Sequence, residues 1–263
     1  MNRSILVAAL ALAAGGAHAD GLSLGAGLDY SSGDYGSDTT TTILSVPVTA
    51  RLDTGNWTFK ASLPWLRVDG DPGVLPGVGS VTNTNPRGRG RGGLQPSPTD
   101  EPPSGAASGV GDLRLAATYA FDTGGPLGID LTGNAKIATA DEDKGLGTGA
   151  SDLGLALDLY RQFDATLLFG GVSYTWLGDS DYVDVDDVAG ANIGASWTAG
   201  RGNVGVAYDF REAASFGYDD RSELTGFYGW RTPSDGRVQV YALKGLSDGS
   251  PDWGAGVSYR HGF

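Results

Sequence analysis

From residue 22 onward, apolar and polar side chains take turns. Leu22, Leu24, Ala26, Leu28 and Tyr30 share one parity; Ser23, Gly25, Gly27 and Asp29 share the other. A period of two puts the two sets on opposite faces of a β-strand. The same alternation predicts further strands near 43–52, 57–67, 111–121, 127–138, 151–163 and 166–177. Five more centre on Ile193, Val206, Tyr228, Val240 and Val257. Twelve strands of roughly ten residues match what a tilted membrane-crossing strand needs. Strand 166–177 is the least regular, because Leu167 and Phe169 sit on the polar parity.

The connections sort by length. Asp53-Thr54-Gly55-Asn56, Asp122–Pro126, Asp164-Ala165, Ala199–Gly202 and Thr232–Gly236 are short and rich in Gly, Asp and Asn, the composition of tight hairpin turns. The alternate links, 31–42, 68–110, 139–150, 178–188, 211–221 and 245–251, are longer. Short turns at one end and long loops at the other are the signature of an up-and-down transmembrane barrel. Trp57, Trp65, Trp176, Trp197, Trp230 and Trp253 all fall on the apolar parity near strand ends, where two belts of rings meet the lipid–water interfaces. The fold class expected is all-β, a transmembrane up-and-down antiparallel β-barrel of about 12 strands.

The first residues read differently. Arg3 precedes an apolar run, Ile5 to Ala14, too short to cross a bilayer, and Ala17-His18-Ala19 has the small-x-small form of a cleavage site. Residues 1–19 are therefore expected to be a signal peptide, with the barrel spanning 20–263. That routing, with the alternation, implies the outer membrane of a Gram-negative cell. Phe263 ends the chain on the apolar parity, as an assembly signal for the barrel-inserting machinery would.

Composition removes several function classes. The formal charge is −13, or −14 once Arg3 leaves with the leader, which disfavours nucleic acid as a partner. Cysteine is absent. The two histidines are His18, in the leader, and His261, on the lipid-facing parity, so no histidine base reaches the lumen. No pair of carboxylates stands out by spacing. The chain reads as no enzyme, with no cofactor or metal. Loop 178–188 carries oxygens suited to Ca²⁺ at Asp179, Asp181, Asp184, Asp186 and Asp187, but without EF-hand spacing.

Function then rests on the inward parity. Near the long-loop end it carries Asp29, Asp112, Arg114, Asp152, Asp209, Arg211, Glu223 and Asp252. Deeper, it carries Arg51, Lys60, Asp130, Lys136, Asp158, Arg231, Arg237 and Arg260. The candidate solute path is Asp29, Arg51, Lys60, Asp112, Arg114, Asp152, Glu223, Arg231, Asp252 and Arg260. These charges form either a ladder of cross-strand ion pairs or a charge-lined filter. Asp112, Asp152 and Asp252 each open a strand after a small residue, either as loop caps or as an acidic ring. Inward glycines, among them Gly194, Gly205 and Gly256, leave lumen space or receive neighbouring rings. Loop 68–110, with prolines from Pro72 to Pro103 and the run Arg87-Gly88-Arg89-Gly90-Arg91, is expected to lie at the extracellular surface, its arginines facing lipopolysaccharide phosphates. Folding into the mouth is its alternative.

Lys244 to Tyr259, Gly109-Val-Gly-Asp-Leu-Arg-Leu115, Val46-Pro-Val48 and Leu63-Pro-Trp65 resemble the outer-membrane family named for the meta-pathway of phenol degradation. The resemblance implies a barrel passing small aromatic or hydrophobic compounds; it supplies no site residues. Pro47 and Pro64 remove ladder donors, so bulges or strain are expected there. The function expected is an outer-membrane channel for passive passage of small organic solutes. The alternative is a closed barrel serving as a surface scaffold. Expected partners are outer-membrane lipid, lipopolysaccharide, the barrel-assembly machinery and a small solute.

Overall fold

A computed structural model describes residues 21–89 and 105–263. The leader, its cleavage point and the Arg91 end of the basic run lie outside the described residues. Twelve antiparallel strands close on themselves: β1 Gly21–Gly33, β2 Thr41–Thr54, β3 Trp57–Gly70, β4 in two segments (Gly105–Val110 and Leu113–Phe121), β5 Leu127–Ile137, β6 Asp152–Phe163, β7 Thr166–Trp176, β8 Val188–Ala199, β9 Gly202–Arg211, β10 Arg221–Arg231, β11 Gly236–Gly245 and β12 Trp253–Gly262. Each pairs with its sequence neighbour, and β12 returns to β1 from Ser23↔Gly262 to Ser32↔Trp253. Closure leaves no sheet edge, which a bilayer would penalise as unpaired N–H and C=O groups.

The period of two becomes two surfaces. Leu153 (62%), Ile193 (65%) and Val48 (59%) are exposed on the outside, while Thr132 and Asp158 are buried on the inside. An apolar exterior facing outward all round is solvated by lipid tails, not by water. Among the described residues no helix is long and apolar enough to cross a membrane; the crossing is made by strands. The rings pair along the outside: Trp57 with Tyr119 (4.9 Å), Trp253 with Tyr30 (5.3 Å), Trp176 with Tyr174 (5.2 Å) and Trp230 with Tyr228 (5.4 Å). Trp65 and Trp197 are exposed on the same surface. Phe263 continues β12 by donating its N–H to the Leu22 carbonyl (2.9 Å).

The short turns hold left-handed backbone at Asp164 (φ 47°) and Asp235 (φ 56°). Aspartate tolerates that region better than most side chains, which lets the hairpins close tightly. The two wall prolines face each other, Pro47↔Pro64. Around them the ladders lapse. The β1–β2 register is unpaired between Ala26↔Val48 and Asp29↔Ser45. Across β3 the register steps from Trp65↔Val110 to Ser62↔Arg114. Two residues, Leu63 and Pro64, thus oppose three, Gly111 to Leu113, which is a β-bulge. It forms where Pro64 has no N–H to give, and the Pro64 carbonyl still accepts from Gly111 N (2.8 Å).

The irregularity at Leu167 and Phe169 has a cause. Both point into the lumen and are buried in a cluster with Ala207 and Phe227, flanked by Tyr160 and Tyr241. The polar interior is thus interrupted, in its short-turn half, by a wall of rings on β6, β7, β10 and β11. Each ring lies over a glycine of the adjoining strand. A Cβ at Gly194 would stand 2.4 Å from Phe169, at Gly205 2.3 Å from Phe227, at Gly256 2.5 Å from Tyr241 and at Gly128 2.2 Å from Tyr160. These glycines receive rings and do not leave open space.

Candidate functional site: the lumen and its inserted loop

The described part of the long loop after β3, residues 71–89, does not lie out over the surface as expected. Residues 71–89 fold into the barrel mouth. They carry two short ladders, Val74–Leu75 with Gly79–Ser80, and Thr82–Asn83 with Val183–Asp184 of the neighbouring loop. Leu75, Val78 and Val81 bury themselves against Val183, Val188 and Ala214. These scattered apolar residues have nowhere to hide on a wet surface, and that drives the loop inward.

Arginines then fix it. Arg211 donates to the carbonyls of Gly77 (2.8 Å) and Val78. Arg114 packs on Gly77, where a Cβ would meet its guanidinium at 2.4 Å; Gly77 also has φ +81°. Gly77 therefore serves both the turn and the close approach. Ser80 Oγ donates to the Tyr35 carbonyl (3.0 Å). Arg89 is 5% exposed and donates to three carbonyls: Gly145 (2.6 Å), Asp71 (2.7 Å) and Val74 (3.0 Å). Burial pushes its pKa down to about 10, well above neutrality, so the charge persists and the carbonyls hold it. This corrects the expectation of a surface cation there. Arg87, two residues earlier, is the exposed one, 3.3 Å from Asp143.

Two lumen cavities meet at the loop tip, since Pro76 and Gly77 line both. One holds about 160 Å³ and is lined by Asn134, Asp158, Asn192, Asp209 and Arg211. The other holds about 90 Å³ against Asp29, Ser45, Pro47, Pro64 and Arg221. Lys60, Ser62 and Arg114 border both.

The ten candidate path residues separate into three groups. Asp29, Lys60, Arg114 and Asp152 line the cavities. Arg51, Arg231 and Arg260 lie at the short-turn end, as expected. Asp112, Glu223 and Asp252 lie at the long-loop end without making a ring. Asp112 accepts from Thr139 N and Ala140 N (both 3.0 Å), so it caps a loop. Asp152 accepts from Gly178 N (3.1 Å) and also caps. Glu223 takes Arg221 on its own strand, and Asp252 stands exposed at the rim. Lys136 lies at the opposite end from that expected: it sits next to the end of β5, on the long-loop side, 2.8 Å from Asp152 and 3.8 Å from Asp112. In the outer lumen Lys136 is thus shared by Asp112 and Asp152, and Arg221 pairs with Glu223. Sequence reasoning missed Arg221 and Tyr241; the latter gives its hydroxyl to Asp29 (2.8 Å). In loop 178–188, Asp187 accepts from Leu177 N and the Tyr174 hydroxyl. Among the described residues no group of three or more acidic or histidine side chains could hold a metal ion.

A closed twelve-stranded wall, apolar outside and polar inside, with a loop folded into its mouth, defines an outer-membrane-type β-barrel. The fold is similar to the COG4313 outer membrane channel from Pseudomonas putida F1, with TM-score 0.71 at 15% identity over 94% of this chain and 97% of that one. It is also similar to the translocator domain of the autotransporter NalP from Neisseria meningitidis, with TM-score 0.56 at 12% identity over 99% of this chain and 95% of that one. No family model and no curated protein matches the chain.

Proposed function

We propose that the chain is a passive outer-membrane channel for small organic solutes, hydrophobic and aromatic ones among them, and that the inserted loop sets the width of its path. One observation carries this reading: the loop tip, Pro76-Gly77, stands between two lumen cavities, with Arg211 donating to the Gly77 carbonyl and Arg114 packed on Gly77. A pinned loop across the mouth of a tube is how a barrel narrows without closing. The likeness in fold to an outer membrane channel from Pseudomonas putida F1 supports the reading, as does the resemblance of the sequence to the phenol-pathway family.

Purified protein in planar bilayers tests it. Discrete, small conductance steps are expected, rising when residues 72–82 are replaced by a short Gly-Ser linker. A silent bilayer for both forms, with solute uptake by cells unchanged when the protein is removed, would leave the surface-scaffold reading in its place.

A further inference from the structure

We propose that Arg114 holds the carboxylate of a single-ring organic acid in the larger lumen cavity. This narrows the solute class of the channel reading and rests on it. Arg114 stands at the start of the second segment of β4 and borders both cavities. On one side it faces Ser62 of β3, on the other Lys136 of β5. Its Nε is buried and meets no hydrogen-bond partner. Among the described residues Arg114 makes no ion pair. Gly77 presses on its Nη2, yet the Gly77 carbonyl is taken by Arg211 (2.8 Å). The acid whose charge reaches it is Asp152, already held by Lys136 (2.8 Å) and by Gly178 N (3.1 Å). Asp158 and Asp209, the other carboxylates lining the larger cavity, each have a partner of their own. In the smaller cavity Asp29 accepts from the Tyr241 hydroxyl (2.8 Å).

A guanidinium stays charged inside a protein, and a buried charge without a partner is costly. Acids and bases are about equal in number along the lumen, so no general surplus of positive charge is involved; one group is unmet. A carboxylate meets it best, because two oxygens match a fork of two parallel N–H donors. Ser62, which borders both cavities beside Arg114, adds a hydroxyl donor. The rest of the cavity sets the size and character of the solute. Its volume is about 160 Å³, and a cavity of about 150 Å³ takes one benzene ring. Pro76, Val78, Leu177 and Val188 line it, and the last three belong to the apolar cluster that seats the loop. A ring has this apolar wall to lie on while its carboxylate takes Arg114. Ala116 of β4 and Ala156 of β6 leave it room.

Equilibrium dialysis of radiolabelled benzoate against the folded protein in detergent micelles supplies the test, and reads binding without conduction. Saturable uptake of one benzoate per barrel is expected. Arg114→Gln should weaken it about tenfold or more. Arg114→Lys, which keeps the charge and loses the fork, should recover only part of that loss. Ala156→Leu fills the cavity from β6 and leaves Arg114 in place; it should also weaken benzoate, and it decides the matter if the arginine variants do not fold. Benzyl alcohol and chloride should each compete about tenfold less well than unlabelled benzoate, or worse. Mobility on unheated gels reads the folding of each variant. No saturable binding to the folded parent, or undiminished binding by folded Arg114→Gln, overturns the site and leaves the channel reading standing. Chloride competing as well as benzoate overturns an organic acid as the occupant. Saturable binding by a barrel that is silent in planar bilayers keeps the site and overturns the channel reading.

Discussion

Arg87 and Arg89 stand two residues apart in one basic run, yet their removal should have opposite consequences. Arg89→Ala deletes a buried guanidinium that donates to Gly145 O, Asp71 O and Val74 O at 2.6, 2.7 and 3.0 Å. Hydrogen bonds from a charged donor are worth about 1.5–3 kcal/mol each, so the three contribute roughly 5–9 kcal/mol gross. Desolvating the guanidinium costs several kcal/mol, which leaves about 3 kcal/mol holding the loop in place. Losing about 3 kcal/mol shifts the balance between released and inserted loop by roughly 150-fold. Arg87→Ala deletes an exposed pair with Asp143, worth about 0–1 kcal/mol. Digestion of the loop by proteinase K in membrane vesicles reads the difference. Arg89→Ala should be cut far faster than the parent and show larger, noisier conductance. Arg87→Ala should match the parent within a few-fold. Both should keep the folded barrel's altered mobility on unheated gels. Equal digestion rates for the two variants, or loss of the barrel in Arg89→Ala alone, would refute the assignment of Arg89 as the loop's anchor.

Three further outcomes follow from the same geometry. Lys136→Met strips the shared cation from Asp112 and Asp152, so the barrel should lose about 3–5 kcal/mol in detergent unfolding by urea; unchanged stability would remove Lys136 as the outer brace. Gly194→Val drives a side chain into the Phe169 ring, and folded yield should fall; Phe169→Ala in the same chain should restore part of it, whereas additive losses would contradict the ring-on-glycine packing. Tyr241→Phe leaves Asp29 without its phenolic donor and should cost about 1–3 kcal/mol by the same urea titration.

The wall was legible in the sequence, and most of its interior was not. A strict period of two can satisfy lipid on one side only if the strands are registered, so Leu153-Gly-Leu-Ala-Leu-Asp158 declares both its surfaces. The short turns declare their end of the barrel by composition. Parity says which way a side chain points, not what it meets there. Phe227 and Tyr241 share the inward parity, and Leu167 and Phe169 break the pattern openly, yet only the fold shows that each ring lies on a particular glycine of the next strand. Lys136 shows a different failure. It stands next to the long-loop end of β5, and its partner Asp152 is the first residue of the following strand, β6. The inserted loop left a signal in Val74, Leu75, Val78 and Val81: apolar residues in a Gly- and Pro-rich segment must be buried somewhere, though the sequence does not say where.

The chain has no cysteine, so single cysteines report water without background. Placed at Ala116, Asn134 and Ala156, which line the larger of the two lumen cavities, and at Ala117, Leu131 and Leu157, on the outward parity of the same strands, they measure which parity faces water in intact outer membranes. Reaction with a charged, membrane-impermeant thiol reagent should mark the first three and spare the second three. Labelling of all six alike, or of the outward set alone, would contradict a lipid-facing exterior enclosing a water-filled lumen.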